Sequence, residues 1–160
     1  MNYKRIVFAA GLLVSGFFVL SGQPPEEKAA IFTAAQAEAG RVAFENTCGQ
    51  CHTPTLTGRK GEPGEVPALT SLSPAYQKFI GPRGYVPPLA GPFFLSRWGS
   101  KTAAGLIARF EETIPYFPPA GMNDQTSVNI TAYVLQANGA TAGTTPLTRS
   151  TGALVRAVTR

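Results

Sequence analysis

The chain has 160 residues, including 17 Gly and 14 Pro, and only 14% of its residues are charged. This length suits one domain with extensions. So much Gly and Pro predicts a loop-rich protein whose core needs a metal, a disulfide or a cofactor. The formal charge of +5 resides at the two ends, because residues 6–148 carry nine basic and nine acidic residues. Nucleic-acid binding is not supported, since no basic run alternates with aromatic residues.

The N-terminus has the pattern of an export signal. Lys4 and Arg5 precede an apolar run over residues 6–20, and two small residues follow it. The alternative is an uncleaved anchor, although the run is shorter than the roughly 20 residues of a spanning helix. We expect residues 1–22 to be a signal peptide or an N-terminal anchor. The remainder would then be periplasmic or otherwise extracytoplasmic, with membrane contact only if the segment is uncleaved.

A linker is expected over residues 23–31, followed by the first helix. Thr33 and Gln36 have the spacing of a capping box, which predicts a helix that begins at Thr33 and runs towards Cys48. Residues 53–92 are rich in Pro and Gly and are expected to form long loops, with a short helix near residues 74–80.

Two further helices are predicted from apolar periodicity. One covers Lys101 to about Thr113, with Ser100 as its cap and Pro115 ending it. The other covers residues 125–138, with Asn123 or Asp124 as its cap and Gly139 just beyond its end. Residues 141–160 show no clear periodicity and are expected to form a flexible C-terminal tail.

The chemistry of the chain is concentrated in Cys48-Gly49-Gln50-Cys51-His52, which holds both cysteines and the only histidine. A structural zinc site would need about four protein ligands. A thioredoxin-like redox pair would need a βαβ setting, whereas here the motif closes a helix. The third interpretation is one covalently bound haem c. In that case two thioethers hold one porphyrin edge, and His52 ligates the iron. The C-x-x-C-H pattern and the export signal favour haem.

Residues 32–140 resemble the class I c-type cytochromes. The resemblance rests on the helix leading into Cys-x-x-Cys-His, the Pro- and Gly-rich loops and the closing helix with Tyr133. The segments 87–93, 97–99 and 137–139 are also similar to cytochromes associated with quinoprotein dehydrogenases. The resemblance implies an all-α cytochrome c fold, with about three main helices and long loops around one haem. It also implies that the first and last helices cross at Gly40, Phe44 and Tyr133.

The same resemblance implies a proline whose carbonyl accepts a hydrogen bond from the haem-ligating His. Pro67 and Pro88 compete for this role. Pro88 is favoured because it leads into the aromatic segment, as in the similar proteins, which would make residues 59–86 an insertion. Trp98 and Arg97 are further candidates, for contact with a haem propionate. The alternative for both is ordinary packing and solvent exposure.

Met122 is predicted as the distal iron ligand. It is the only methionine besides the initiator, and thioether ligation suits an electron carrier. However, the similar proteins place the ligand in a Met-Pro pair, about where Ile114-Pro115 stands here. Met122 could instead be a packing residue at the start of the last helix.

The resemblance thus implies an electron carrier rather than an enzyme. Its partners would be redox proteins: a periplasmic dehydrogenase as donor and an oxidase or other protein as acceptor. One alternative is a haem protein with an open distal site, for ligand binding or catalysis. Another is a structural subunit that haem stabilises.

Overall fold

The computed structural model describes residues 28–60, 68–77, 80, 84–113 and 124–160. Within these ranges the chain is helical and contains no β-strand, only isolated bridges. The all-α prediction is therefore confirmed. The helices are α1 (Ala34–Thr47), α2 (Gly49–His52), α3 (Pro74–Gln77), α4 (Pro92–Trp98), α5 (Ala103–Thr113), α6 (Asp124–Ala137) and α7 (Val155–Val158), with a 3₁₀ turn at Leu69–Ser71.

Helices α1 and α6 cross at the centre of the fold. The Thr33–Gln36 capping box that was predicted to begin α1 is present, with both reciprocal hydrogen bonds 3.2 Å long. At the crossing, Gly40 lies against the α6 backbone. The rings of Phe44 and Tyr133 are tilted against each other with centroids 5.3 Å apart. The predicted contact between these helices at a small residue and an aromatic pair is confirmed.

Helices α5 and α6 cover most of the residues predicted for them, but α5 has a different N-cap from the one predicted. The side chain of Thr102 accepts a 3.0 Å hydrogen bond from the Gly105 N–H, so Thr102 caps α5 and the predicted Ser100 does not. Helix α6 ends at Ala137, and Gly139 adopts a φ of 85°, which glycine tolerates at the residue after a helix. The predicted Pro115 stop and Asn123 cap lie outside the described residues.

Helix α4 is an element that the sequence analysis did not predict. It begins with Pro92 in its first turn, where the missing N–H costs nothing, and follows Gly91 at a φ of 81°. Phe94 is buried on its inner side. With only seven residues, the helix is too short to produce a convincing apolar repeat.

The prediction of a flexible C-terminal tail is wrong, because residues 141–160 pack against the helices. Leu147, Val155 and Val158 are at most 2% exposed. The backbone of Ala103 donates to Ala153, and that of Val155 donates to Lys101. Burial of these apolar side chains favours an ordered segment even though its sequence has no helical or strand period. We call residues 141–160 the C-terminal segment.

The ordered fold also begins earlier than predicted, since Ile31, assigned to the linker, is buried in the core. The predicted signal or anchor at residues 1–22 lies outside the described residues. No helix in the described part of the chain is long and apolar enough to cross a membrane.

Candidate cofactor site

The Cys-x-x-Cys-His motif forms a tight helical turn at the end of α1. The Cys48 N–H continues the α1 pattern by donating to the Phe44 carbonyl over 2.8 Å. The N–H groups of Cys51 and His52 then both donate to the Cys48 carbonyl, over 3.1 and 2.8 Å. These hydrogen bonds fix the backbone positions of both thiols and the imidazole relative to one another.

The ring of His52 is held by a proline carbonyl. Its Nδ1 lies 2.8 Å from the backbone oxygen of Pro87. A carbonyl can only accept, so Nδ1 carries the proton, and in the neutral ring Nε2 is the basic nitrogen. Burial lowers the pKa of His52, and the Pro87 hydrogen bond offsets this in part. The imidazole is therefore neutral at pH 7, which is the form that ligates a metal.

This contact corrects the predicted role of Pro88. The carbonyl at hydrogen-bonding distance belongs to Pro87, and both Pro87 and Pro88 line the adjacent cavity. The sequence did carry a signal for the correct residue. Pro87-Pro88-Leu89 has the same Pro-x-Leu spacing as the competing Pro67-Ala68-Leu69 stretch. Pro67 itself lies outside the described residues.

The loop after His52 turns sharply back towards the Pro87 segment. Thr53 and Leu56 have φ values of 64° and 59°, a backbone region that costs free energy for residues other than glycine. The Thr53 hydroxyl lies 3.1 and 3.0 Å from those of Thr55 and Thr57. Leu56 accepts a 2.8 Å hydrogen bond from the Leu89 N–H. The strained turn therefore joins the two segments that place His52 and Pro87.

Asn138 secures the Pro87 segment from the other side. Its buried side chain donates to the Leu89 carbonyl over 3.0 Å and accepts from the Gly91 N–H over 3.0 Å. It also donates to Val134 within α6. The sequence analysis noted Ala137-Asn138-Gly139 only as part of the resemblance and did not assign Asn138 a role. Its position directly before a helix-ending glycine was the one available signal.

A largely apolar cavity of about 320 Å³ opens beside His52. This is within the size range typical of small-molecule and cofactor sites. Five of the predicted site residues, which are scattered from position 48 to position 98, meet in its wall. The lining residues are Cys48, His52, Tyr85, Pro87, Pro88, Leu89, Phe93, Phe94, Arg97, Trp98, Arg109, Phe110 and Ile130.

The cavity wall does not contain every predicted site residue. Cys51 is absent from it, although the hydrogen bond to Cys48 keeps the two residues within one helical turn. Met122 lies outside the described residues. Arg109 and Phe110 were not predicted as site residues. They lie on α5, and only the packing of α5 beside α6 brings them to the cavity.

Both cysteines are partly buried free thiols. Burial raises the pKa of each thiol. The Thr47 hydroxyl offsets part of this increase at Cys48, and the positive charge of Arg59 offsets part of it at Cys51. The thiols are therefore protonated at neutral pH. Such a pair is poorly suited to nucleophilic redox catalysis, which uses a thiolate.

The two competing interpretations of the motif gain no support from the geometry. Over the described ranges, no group of three or more His, Cys, Asp or Glu side chains is arranged to hold a metal ion. In the part of the chain that the structure describes, no β-strand lies on either side of the motif, whereas a thioredoxin-like pair would have a βαβ setting.

Comparison with known proteins identifies no relative: no protein-family model, curated protein sequence or solved structure matches this chain.

Proposed function

We propose that the protein is an exported c-type cytochrome with one haem, which transfers electrons between a periplasmic dehydrogenase and a terminal acceptor. The observation that carries the proposal is the setting of His52. Its ring is neutral, its Nδ1–H is held by Pro87, and it faces an apolar cavity next to a Cys-x-x-Cys pair. An imidazole fixed by a hydrogen bond on its far nitrogen is the usual form of a metal ligand.

The residues present fit a haem in three respects. Cys48 and Cys51 supply two thiols for thioether bonds, and His52 supplies an iron ligand. The cavity wall is mostly aromatic and aliphatic, which suits a porphyrin face. Arg97 and Trp98 lie in the same wall and offer a guanidinium and an indole N–H for the propionates.

When bound, the haem supplies a one-electron couple at its iron. The chain's own groups tune and protect that couple. The Pro87 carbonyl makes the His52 imidazole a stronger electron donor to a metal by accepting a hydrogen bond from its Nδ1–H. Phe94, Leu89 and Phe110 give the cavity wall an apolar surface, and the hydrophobic shell around a metal site tunes its redox potential.

We further propose that the helices adopt the cytochrome c fold. The α1–α6 crossing at Gly40, the helical turn of the motif and the proline carbonyl on the histidine agree with that architecture. Met122, which lies between α5 and α6 in the sequence, is proposed as the distal iron ligand.

Expression in a host with periplasmic haem-maturation machinery tests the function. We expect the purified protein to be heavier than the processed polypeptide by one haem, and the haem to resist acid–acetone extraction. Its spectrum should be low-spin in both redox states. The matched control is Cys48→Ala/Cys51→Ala, which should release any haem on extraction. Recovery of the unmodified mass from the wild-type protein would contradict the proposal.

A further inference from the structure

The side chain of Arg59 binds the helical turn that contains the two cysteines. The Gln50 carbonyl in this turn has no helical partner, because the residue four positions later is Pro54, which lacks an N–H. Instead it accepts hydrogen bonds from Nε and Nη2 of Arg59, over 3.2 and 3.0 Å. The N–H of the same peptide unit belongs to Cys51 and donates to the Cys48 carbonyl over 3.1 Å. The peptide unit between the two cysteines is therefore held at both of its polar groups.

The main chain of Arg59 pairs with the residue that precedes Pro87. Its N–H donates to the Val86 carbonyl over 3.0 Å, and the Val86 N–H donates to the Arg59 carbonyl over 2.9 Å. The approach is close, since a Cβ at Gly58 would lie 2.2 Å from the Val86 carbonyl oxygen. Because Pro87 follows Val86 directly and its ring restricts φ, this pair limits where the Pro87 carbonyl can lie.

A third group of contacts fixes the orientation of the Arg59 guanidinium. Its Nη1 donates to the Ser71 hydroxyl, and over 3.4 Å to the Ala68 carbonyl. The Ser71 hydroxyl itself donates to the Ala68 carbonyl over 2.6 Å. Among the residues that the structure describes, every hydrogen-bond acceptor for this guanidinium is an uncharged oxygen. These contacts need the planar fork of an arginine, which a lysine ammonium does not have.

We propose that Arg59 is a positioning residue for the histidine ligand, because it joins the two segments that carry His52 and Pro87. Its side chain holds the turn that ends at His52, and its main chain holds the segment of Pro87. The 2.8 Å hydrogen bond from His52 Nδ1–H to the Pro87 carbonyl depends on both segments. The consequence for the iron rests on the proposed function. A weaker hydrogen bond makes the imidazole a poorer electron donor, which disfavours oxidised iron and raises the redox potential.

Two substitutions separate the geometry of Arg59 from its charge. Arg59→Gln removes the charge and the fork, whereas Arg59→Lys keeps the charge and removes only the fork. In both variants the His52 Nδ1–H of the reduced, haem-loaded protein should exchange with solvent about tenfold faster, as expected for the loss of one hydrogen bond from a charged group. The redox potential should rise in both. Proton NMR and a redox titration provide the measurements.

Arg41→Gln is the matched control, because it removes one positive charge from a guanidinium that bonds only to Glu38 and Glu45 on α1 among the described residues. It should change neither the exchange rate nor the potential. All three variants are expected to take up haem. In the Arg59 variants, the main-chain pair with Val86 does not depend on the side chain.

A wild-type exchange rate in Arg59→Lys would overturn the proposal, since charge rather than position would then explain any change in Arg59→Gln. A change of equal size in Arg41→Gln would overturn it too. If neither Arg59 variant takes up haem and Arg41→Gln does, Arg59 is required for folding and the proposal is wrong. If the wild-type protein carries no haem, the proposed function fails. Exchange of the His52 ring proton in that unloaded protein then still tests whether Arg59 positions the ring.

Discussion

Gly40 and Asn129 are in backbone contact where α1 crosses α6. A Cβ added at Gly40 would lie 1.8 Å from the Asn129 carbonyl oxygen and 2.4 Å from its carbonyl carbon. Neither atom can move away as a flexible side chain would. The absence of a side chain at position 40 therefore sets the distance between the two central helices.

Gly40→Ala is accordingly expected to separate α1 from α6 and to lower the free energy of unfolding by about 3 kcal/mol or more. Thermal or denaturant unfolding of the purified protein measures the change. Gly152→Ala is the control, because a Cβ there would meet no atom within 4 Å. A Gly40→Ala variant as stable as Gly152→Ala would show that the helices can separate without cost.

Removal of the two thiols to which the proposed function assigns haem attachment should abolish cooperative folding. The cavity beside His52 leaves apolar side chains without neighbours unless a cofactor fills it. When binding supplies folding free energy, the unloaded chain has no cooperative thermal transition. Calorimetry of Cys48→Ala/Cys51→Ala, compared with the loaded wild-type protein, tests this. A sharp transition in the double variant without haem would refute the expectation.

Asn138→Ala should destabilise the segment that holds His52. It would remove the partners of the Leu89 carbonyl and the Gly91 N–H at a buried position, at a cost of about 2–3 kcal/mol. Unfolding experiments on the loaded protein measure this loss. Asn46→Ala is the matched control, because its side chain donates to the Val42 carbonyl at an exposed position of α1. Equal stability of the two variants would mean that Asn138 contributes no more than a surface amide.

The packing of the C-terminal segment predicts a core role for Val155. It is fully buried, so Val155→Ala should lower the free energy of unfolding by about 2 kcal/mol, from lost burial and the cavity left behind. Thr145→Ala, at an exposed position of the same segment, should change it by less than about 0.5 kcal/mol. Denaturant titration separates these outcomes. If Val155→Ala has no effect, the segment does not contribute to the stability of the fold in solution.

Met122→Ala tests the proposed distal ligand. If the thioether ligates the iron, the variant should lose the near-infrared sulfur-to-iron absorption band and become high-spin or water-ligated. Its potential should fall, because thioether ligation raises the potential of a His-ligated haem. Absorption spectra and a redox titration provide the measurements. A variant spectrum identical to that of the wild-type protein would show that Met122 is a packing residue and does not ligate the iron.

Local patterns allowed much of the main helical framework to be predicted from sequence. The Thr33–Gln36 capping box, the apolar repeats of α5 and α6 and the glycine after α6 depend on neighbours within a few residues. The arrangement of Cys48, Cys51 and His52 could also be predicted, because a single helical turn sets the positions of the two thiols and the imidazole. The crossing at Gly40 was also predicted, through the family resemblance rather than through local pattern.

The tertiary structure alone decided the relationships between distant segments. Pro87 and Pro88 are adjacent and chemically alike, and only the path of the loop determines which carbonyl reaches His52. Residues 141–160 lack periodicity, yet several of their apolar side chains are buried and their backbone bonds to residues far away in the sequence, so their order depends on those partners. Local propensity determines where helices form, whereas long-range burial and hydrogen bonding determine which side chains meet at the cavity.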